Sequence, residues 1–210
     1  MTIGIIGSGS VGGTLGRRWA QAGHQVVFGS RNPASKDMQE LVAAAGGNAR
    51  AASQREAGAA EVLLLATPWP ATRPALAGLG NLAGKVLIDA TNPLLPDLSA
   101  LEIGTTTSAG EQVAEWSPGA RVVKAFNTVG YNIMADPGFG AERPVMFYCG
   151  DDAAAKQQVR TLIGQLGFEA MDAGPLRQAR LLEPFALLWI SLAYAQGQGR
   201  DIGFKFLRRA

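Results

Sequence analysis

A Gly-rich turn between two short apolar runs constrains this chain more than any other stretch. Residues 2–32 read TIGIIGSGSVGGTLGRRWAQAGHQVVFGSRN. Ile3–Ile6 is an apolar run of strand length, Val11–Ala22 has the helical period, and Val26–Phe28 is a second apolar run. The order is strand, turn, helix, strand. Within the turn, Gly7, Gly9 and Gly12 are spaced G-x-G-x-x-G. In a dinucleotide fold the first glycine turns the chain tightly off the strand. The second lets backbone N–H groups approach a pyrophosphate, and the third lets the helix pack close to the sheet. The positive end of the helix dipole then faces the phosphates. A structural turn is the competing reading, but the strand before the motif and the helix after it favour a dinucleotide.

The end of the second strand selects between dinucleotides. NAD sites usually carry an acid there, on the ribose 2′-hydroxyl. This chain has Phe28-Gly29-Ser30-Arg31-Asn32-Pro33, with no acid between His24 and Lys36. A carboxylate repels a 2′-phosphate, whereas a hydroxyl and a guanidinium hold one. Lys36 offers a second cation. An exposed arginine in a solvated turn is the alternative. With the glycine motif in place, the missing acid points to NADP(H).

The bulk numbers narrow the class. The chain has 210 residues, 47% hydrophobic and 17% charged, which is ordinary globular composition rather than that of a disordered chain. A formal charge of +2 is too small to argue for nucleic acid, and no basic cluster is interleaved with aromatics. One cysteine excludes an internal disulfide and fits a reducing compartment. Cys149, at a strand end, reads as a packed thiol. The first strand begins almost at the N-terminus and leaves no room for a leader, so the expected location is the cytoplasm.

Taken in order, Met38–Ala45 is helix-like and Asn48–Ala52 reads as a short third strand. Glu61–Ala66 is a continuous apolar run, as a parallel strand covered on both faces requires. It stops at Thr67-Pro68-Trp69-Pro70. Lys85–Ala90 is followed by Thr91-Asn92-Pro93-Leu94, and Arg121–Ala125 by Phe126-Asn127-Thr128. Residues 95–108 look irregular and Gly110–Trp116 helical. Ligands of open α/β sheets sit beyond the carboxyl ends of the strands, so these three loops form the expected wall of the site. Ordinary turn chemistry explains the same residues equally well. The expected architecture is α/β, a Rossmann-type doubly wound and mostly parallel sheet over residues 1–128. Residues 129–210 form a small mixed α/β extension: strands at Val145–Cys149 and Phe168–Met171 around a helix at Ala153–Leu166. A last helix, about Arg177–Gln196, is apolar nearly all round and must be covered on more than one side. We expect a homodimer through it, since one side alone can cover the sheet.

Several nicotinamide chemistries are excluded. No Tyr-x-x-x-Lys pair exists, because Tyr131, Tyr148 and Tyr194 are followed four residues on by Ala135, Asp152 and Gln198. The single histidine, His24, opens the second strand on the edge opposite the expected site and reads as structural. No Cys/His spacing suits zinc. The reaction therefore needs no side-chain acid or base, and no catalytic residue or metal ligand is assigned.

GSRNP after the second strand, ATPW after the fourth, GDD before a helix, DAGPL followed by Ala179-Arg180, and the terminal Ile202–Leu207 segment together resemble the NADP:coenzyme F420 oxidoreductase family. The reductase domain of the six-transmembrane metalloreductases is its relative. The resemblance spans essentially the whole chain, and DAGPL with the terminal GFKFL are its most specific parts. It implies direct hydride transfer between the nicotinamide and a stacked deazaflavin or flavin, with coenzyme F420, FMN or FAD as candidate acceptors. Carried over by position, Ser8, Gly9, Ser10 and Val11 contact the pyrophosphate. Ser30, Arg31 and Lys36 hold the 2′-phosphate, while Pro68, Trp69, Asn92 and Ala125 line the nicotinamide end, within the wall that also includes Thr67 and Asn127. The sequence departs from the family around Asn92-Pro93, Phe126-Asn127 and Trp69-Pro70-Ala71, so the acceptor half transfers poorly. The expected partner is a small-molecule redox acceptor, with neither nucleic acid nor membrane. A non-catalytic NADPH-binding module, sensing redox state or serving a partner, is the alternative function.

Overall fold

The computed structural model describes residues 1–209. Its frame is an eight-stranded sheet in the order β3-β2-β1-β4-β5-β6-β7-β8. The strands are β1 (Thr2–Ile6), β2 (Gln25–Ser30), β3 (Ala49–Ser53), β4 (Val62–Leu65), β5 (Val86–Asp89), β6 (Arg121–Ala125), β7 (Val145–Gly150) and β8 (Glu169–Asp172). All neighbours are parallel except β6 and β7. The doubly wound α/β expectation holds, and every strand read from the sequence is present. The two strands of the segment 129–210 extend the same sheet, which reverses direction once at β6–β7.

The continuous apolar runs account for this arrangement. Strand residues alternate between faces. Leu63 and Leu65 join one buried layer with Ile6, Leu87 and Val122. Val62 and Leu64 join the other with Ile3, Ile5, Ile88 and Val123. Leu63, Leu64 and Leu65 are each fully buried, and burying a side chain of this size is worth about 1.5–3 kcal/mol. Helices cover both faces: α1 (Ser10–Gln21), α2 (Lys36–Ala45), α3 (Gln54–Ala57), α4 (Trp69–Ala77), α5 (Ala109–Trp116), α6 (Tyr131–Ala135), α7 (Ala153–Gln165) and α8 (Ala179–Ile190).

Three of these helices, α3, α4 and α6, are not evident from sequence pattern. Helix α4 begins directly after Pro68 and carries Pro70 in its first turn, where a missing N–H costs nothing. The final helix is also more broken than its periodicity implies. It opens with a 3₁₀ turn at Leu176–Gln178 and ends in a π turn at Ser191–Ala195. The chain beyond it returns along the sheet. Trp189 Nε1 donates to the Ile202 carbonyl at 2.8 Å, and Val145 N donates to the Phe204 carbonyl at 2.8 Å. Among the described residues no helix is long and apolar enough to cross a membrane.

His24 and Cys149 sit as the sequence suggests. His24 is buried at the start of β2, and its Nε2 lies 2.8 Å from Gln165 Oε1. Cys149 is fully buried in β7, and burial pushes its thiol up to about 12, which leaves it protonated and unreactive at neutral pH.

Candidate functional site

The strand order reverses between β1 and β4, so the loops after these strands diverge and open a crevice at their carboxyl ends. The glycine motif lies at this point, and its three glycines have three different reasons. Gly7 has φ +96°, and a Cβ there would meet the Ala66 carbonyl at 2.5 Å. A Cβ on Gly12 would meet the Gly7 carbonyl at 1.9 Å, so nothing larger fits where α1 crosses the strand end. Gly9 has nothing within 4 Å of its Cβ position; its backbone is open to an approaching ligand. No side chain caps the start of α1, so the first N–H groups of the helix are left for an anion.

Two clefts flank this loop, and Ser8 and Ser30 line both. One, about 540 Å³, runs from Gly9 and Ser10 along α1 to Ser35 at the start of α2. The other, about 550 Å³, lies between Gly7, the β2 end and the Thr67-Pro68 loop, with Arg31 and Asn32 on one wall and Ala71 and Pro74 on the opposite wall. Ser30 Oγ accepts a hydrogen bond from Asn32 N at 3.0 Å, which shapes the turn that presents Arg31. The loop after β4 is fixed by Thr72, whose Oγ1 lies 2.9 Å from Thr67 Oγ1 and donates to the Pro68 carbonyl at 3.2 Å.

The nicotinamide-end candidates lie at the ends of β5 and β6. Asn92 Nδ2 donates to the Asn127 carbonyl at 2.9 Å, and Asn127 Nδ2 donates to Asn92 Oδ1 at 3.1 Å and to the Leu182 carbonyl at 3.1 Å. These acceptors fix the orientation of both amides. Asn127 Oδ1 is buried and has no partner among the described residues. The residue before it, Phe126, is buried with φ +62°. A left-handed conformation in an aromatic residue is strained and persists only where its surroundings hold it. Trp19 does so, edge-on at a ring-centroid distance of 5.6 Å.

Lys36, Trp69, Ala125 and Val11 are not among the residues that line the two clefts. Lys36 is 87% exposed and faces Glu40 at 3.6 Å, because the first turn of α2 points it to solvent. Trp69 is buried rather than facing a ring, since it stacks on Trp116 at 5.2 Å between α4 and α5. Ala125 is fully buried within β6. Val11, half-buried, packs against the core. In compensation the first cleft contains Thr14 and Arg17. Their spacing from Ser10, four and seven residues, is the one sequence signal that puts them on the same face of α1.

Beneath the Asn pair lies a charged cluster that the sequence does not reveal. Lys124 Nζ lies 2.9 Å from Asp89 Oδ2, 2.8 Å from Glu183 Oε1 and 2.6 Å from the Thr91 carbonyl, and all three charged side chains are 0–1% exposed. Burial opposes the ammonium charge, but Asp89 and Glu183 outweigh it and hold its pKa above the ordinary lysine value. With three acceptors, Lys124 has no N–H left for a substrate. Beside it, Arg180 Nε and Nη2 grip Glu111 at 2.8 and 2.6 Å and join α8 to α5.

The chain is similar to known proteins in sequence and in fold. The family described as NADP oxidoreductase, coenzyme F420-dependent, matches residues 2–93. The chain is 31% identical to the F420-dependent NADP reductase of Methanothermobacter thermautotrophicus, over 91% of this chain and 89% of that one. It is 33% identical to the metalloreductase STEAP3 of Rattus norvegicus over 88% of this chain, but spans only 36% of that protein's length. A crystal structure of a protein from Arthrobacter sp. FB24 superposes with a TM-score of 0.88 at 34% identity, covering 98% of this chain and 99% of that one.

Proposed function

Since this chain belongs to the coenzyme F420-dependent NADP oxidoreductases, we propose that it passes hydride directly between NADP(H) and a deazaflavin or flavin-type ring. The family supports NADP-linked oxidoreduction; the acceptor is the further step. The bound cofactor supplies hydride at C4 of its nicotinamide, and the chain supplies position. The open backbone at Gly9 and the uncapped start of α1 suit the pyrophosphate. Ser30 and Arg31 suit a 2′-phosphate, with Arg17 from the neighbouring cleft wall as the additional cation in place of Lys36.

The observation that carries this reading is Asn127 Oδ1, a buried acceptor without a partner. Leaving such an atom unpaired costs about 1–3 kcal/mol. A carboxamide N–H is the donor it lacks, and the nicotinamide carries one beside the reacting carbon. With its own amide nitrogen held by Asn92 and Leu182, Asn127 can orient the ring without giving or taking a proton. Catalysis is then orientation of the two rings.

The test is NADPH oxidation with coenzyme F420, FMN, FAD and quinones as acceptors. The expected result is transfer to at least one deazaflavin or flavin. Tight NADPH binding without transfer to any of them favours the non-catalytic module.

A further inference from the structure

The charged cluster under the site has no role in binding or chemistry as described so far, and it is closed. Besides its bond to Lys124, Asp89 accepts at Oδ1 from Thr91 N at 2.9 Å and Thr91 Oγ1 at 2.7 Å. Glu183 accepts from Ala109 N at 2.9 Å and Gly110 N at 3.0 Å, the first N–H groups of α5. One ammonium faces two carboxylates, and the positive end of α5 offsets the remaining negative charge. Clusters of this kind are poor stabilisers. Neutral or apolar replacements of similar size are often as stable, whereas removing one partner alone is costly. What this cluster does is tie four elements together: the end of β5, strand β6, the start of α5 and the second turn of α8.

The tie reaches the site through one peptide. Glu183 enters the cluster by its side chain, and the carbonyl of the preceding residue, Leu182, accepts from Asn127 Nδ2 at 3.1 Å. Pro184 follows at once and has no N–H for the Arg180 carbonyl, so this turn of α8 has one internal hydrogen bond fewer. On the other side, Lys124 holds the Thr91 carbonyl, one residue before Asn92, the second partner of Asn127.

We propose that Glu183 is a positioning residue for the nicotinamide: through Lys124 and the Leu182 carbonyl, it fixes the amide of Asn127 so that Oδ1 points at the cofactor. The proposal rests on the assignment of the ring site to Asn127. It separates two halves of cofactor binding, because the adenine half is held on β1, β2 and α1, away from the cluster. Loss of Glu183 therefore weakens the nicotinamide contribution and leaves the adenine contribution intact.

The experiment compares the parent with Glu183→Gln and with the neutral variant Asp89→Asn/Lys124→Met/Glu183→Gln, which keeps the volumes and provides a folded protein even where the single substitution melts. Two quantities are read: hydrogen exchange of the Asn127 side-chain amide by NMR, and affinity for NADPH relative to adenosine 2′,5′-bisphosphate. In both variants the Asn127 amide exchanges faster, by about tenfold or more. Adenosine 2′,5′-bisphosphate binds as in the parent, and the extra affinity for NADPH is lost. Unchanged protection of the Asn127 amide in a folded variant overturns the proposal, as does unchanged extra affinity. Faster amide exchange in a protein whose parent never preferred NADPH over the bisphosphate upholds the positioning of Asn127 and overturns the ring-site assignment instead.

Discussion

Asn92 and Asn127 hold each other across the ends of two neighbouring strands, each amide nitrogen donating to the other residue, at 2.9 and 3.1 Å. Asn127 Oδ1 is buried and has no partner among the described residues. If that atom orients the nicotinamide, Asn127→Ala slows the hydride step through misplacement, where a displacement of about 1 Å costs on the order of a hundredfold. Asn92→Ala acts in the same direction by releasing Asn127. Affinity for adenosine 2′,5′-bisphosphate stays at the parent value in both. Single-turnover absorbance at 340 nm and titration calorimetry check the two halves.

Cofactor choice follows from Ser30 and Arg31 at the end of β2, with no acid beside them. NADPH binds at least about tenfold more tightly than NADH, roughly 1.4 kcal/mol, a modest demand on charge-assisted phosphate contacts. Arg31→Ala removes most of that gap and leaves NADH affinity nearly unchanged. Arg17→Ala removes a smaller part, and Lys36→Ala has little effect because Lys36 faces solvent. Equal dissociation constants for the two cofactors in the parent contradict the assignment.

The contact of Glu111 with Arg180 makes stability depend on acid pH. The guanidinium of Arg180 holds the Glu111 carboxyl below its ordinary range. A depressed carboxylate contributes stability that is fully present above the unfolded value, near 4.5, and is lost as pH falls through the lower folded value. Glu111→Gln therefore melts at lower temperature than the parent at pH 7, and the difference narrows below about pH 4.5. Melting curves between pH 3 and 7 check this, and a constant difference across that range refutes it.

The last helix supports the proposed homodimer. Leu181 is 66% exposed, Leu188 49% and Tyr194 56%, so one side of α8 and its π turn carries apolar groups that the rest of the chain leaves open. A two-fold contact buries such a patch without forming fibres. Sedimentation at micromolar concentration gives a dimer, and Leu181→Glu/Leu188→Glu gives a folded monomer. A parent that sediments as a monomer contradicts the proposal.

The sheet was legible in the sequence because a parallel strand buried on both faces needs an unbroken apolar run, as at Val62–Leu65. The glycine loop was legible because backbone sterics demand glycine at Gly7 and Gly12. Less was visible where side chains meet across distant elements. Lys124 reads as one polar residue in an apolar strand, and Glu183 as a charge in an apolar helix; neither shows that they meet 59 positions apart. Trp69 next to a proline-bounded loop resembles a ring contact, but its stacking on Trp116 is decided by α4, a helix hidden among three prolines. Position in the family motif also cannot tell which way Lys36 points from the first turn of α2.

Direct hydride transfer by orientation alone is the central claim, and transfer of deuterium from 4-deuterated NADPH to the best deazaflavin or flavin acceptor, in single turnovers across pH, tests it most directly. With a deazaflavin the account predicts deuterium retained at C5 of the reduced ring, and with a flavin, whose N5–H exchanges with water, a primary isotope effect on the rate; in both cases the rate is nearly flat in pH wherever protein and cofactors keep their charge. A bell-shaped rate with two enzyme pKa values, or deuterium absent from C5 of a reduced deazaflavin, contradicts it.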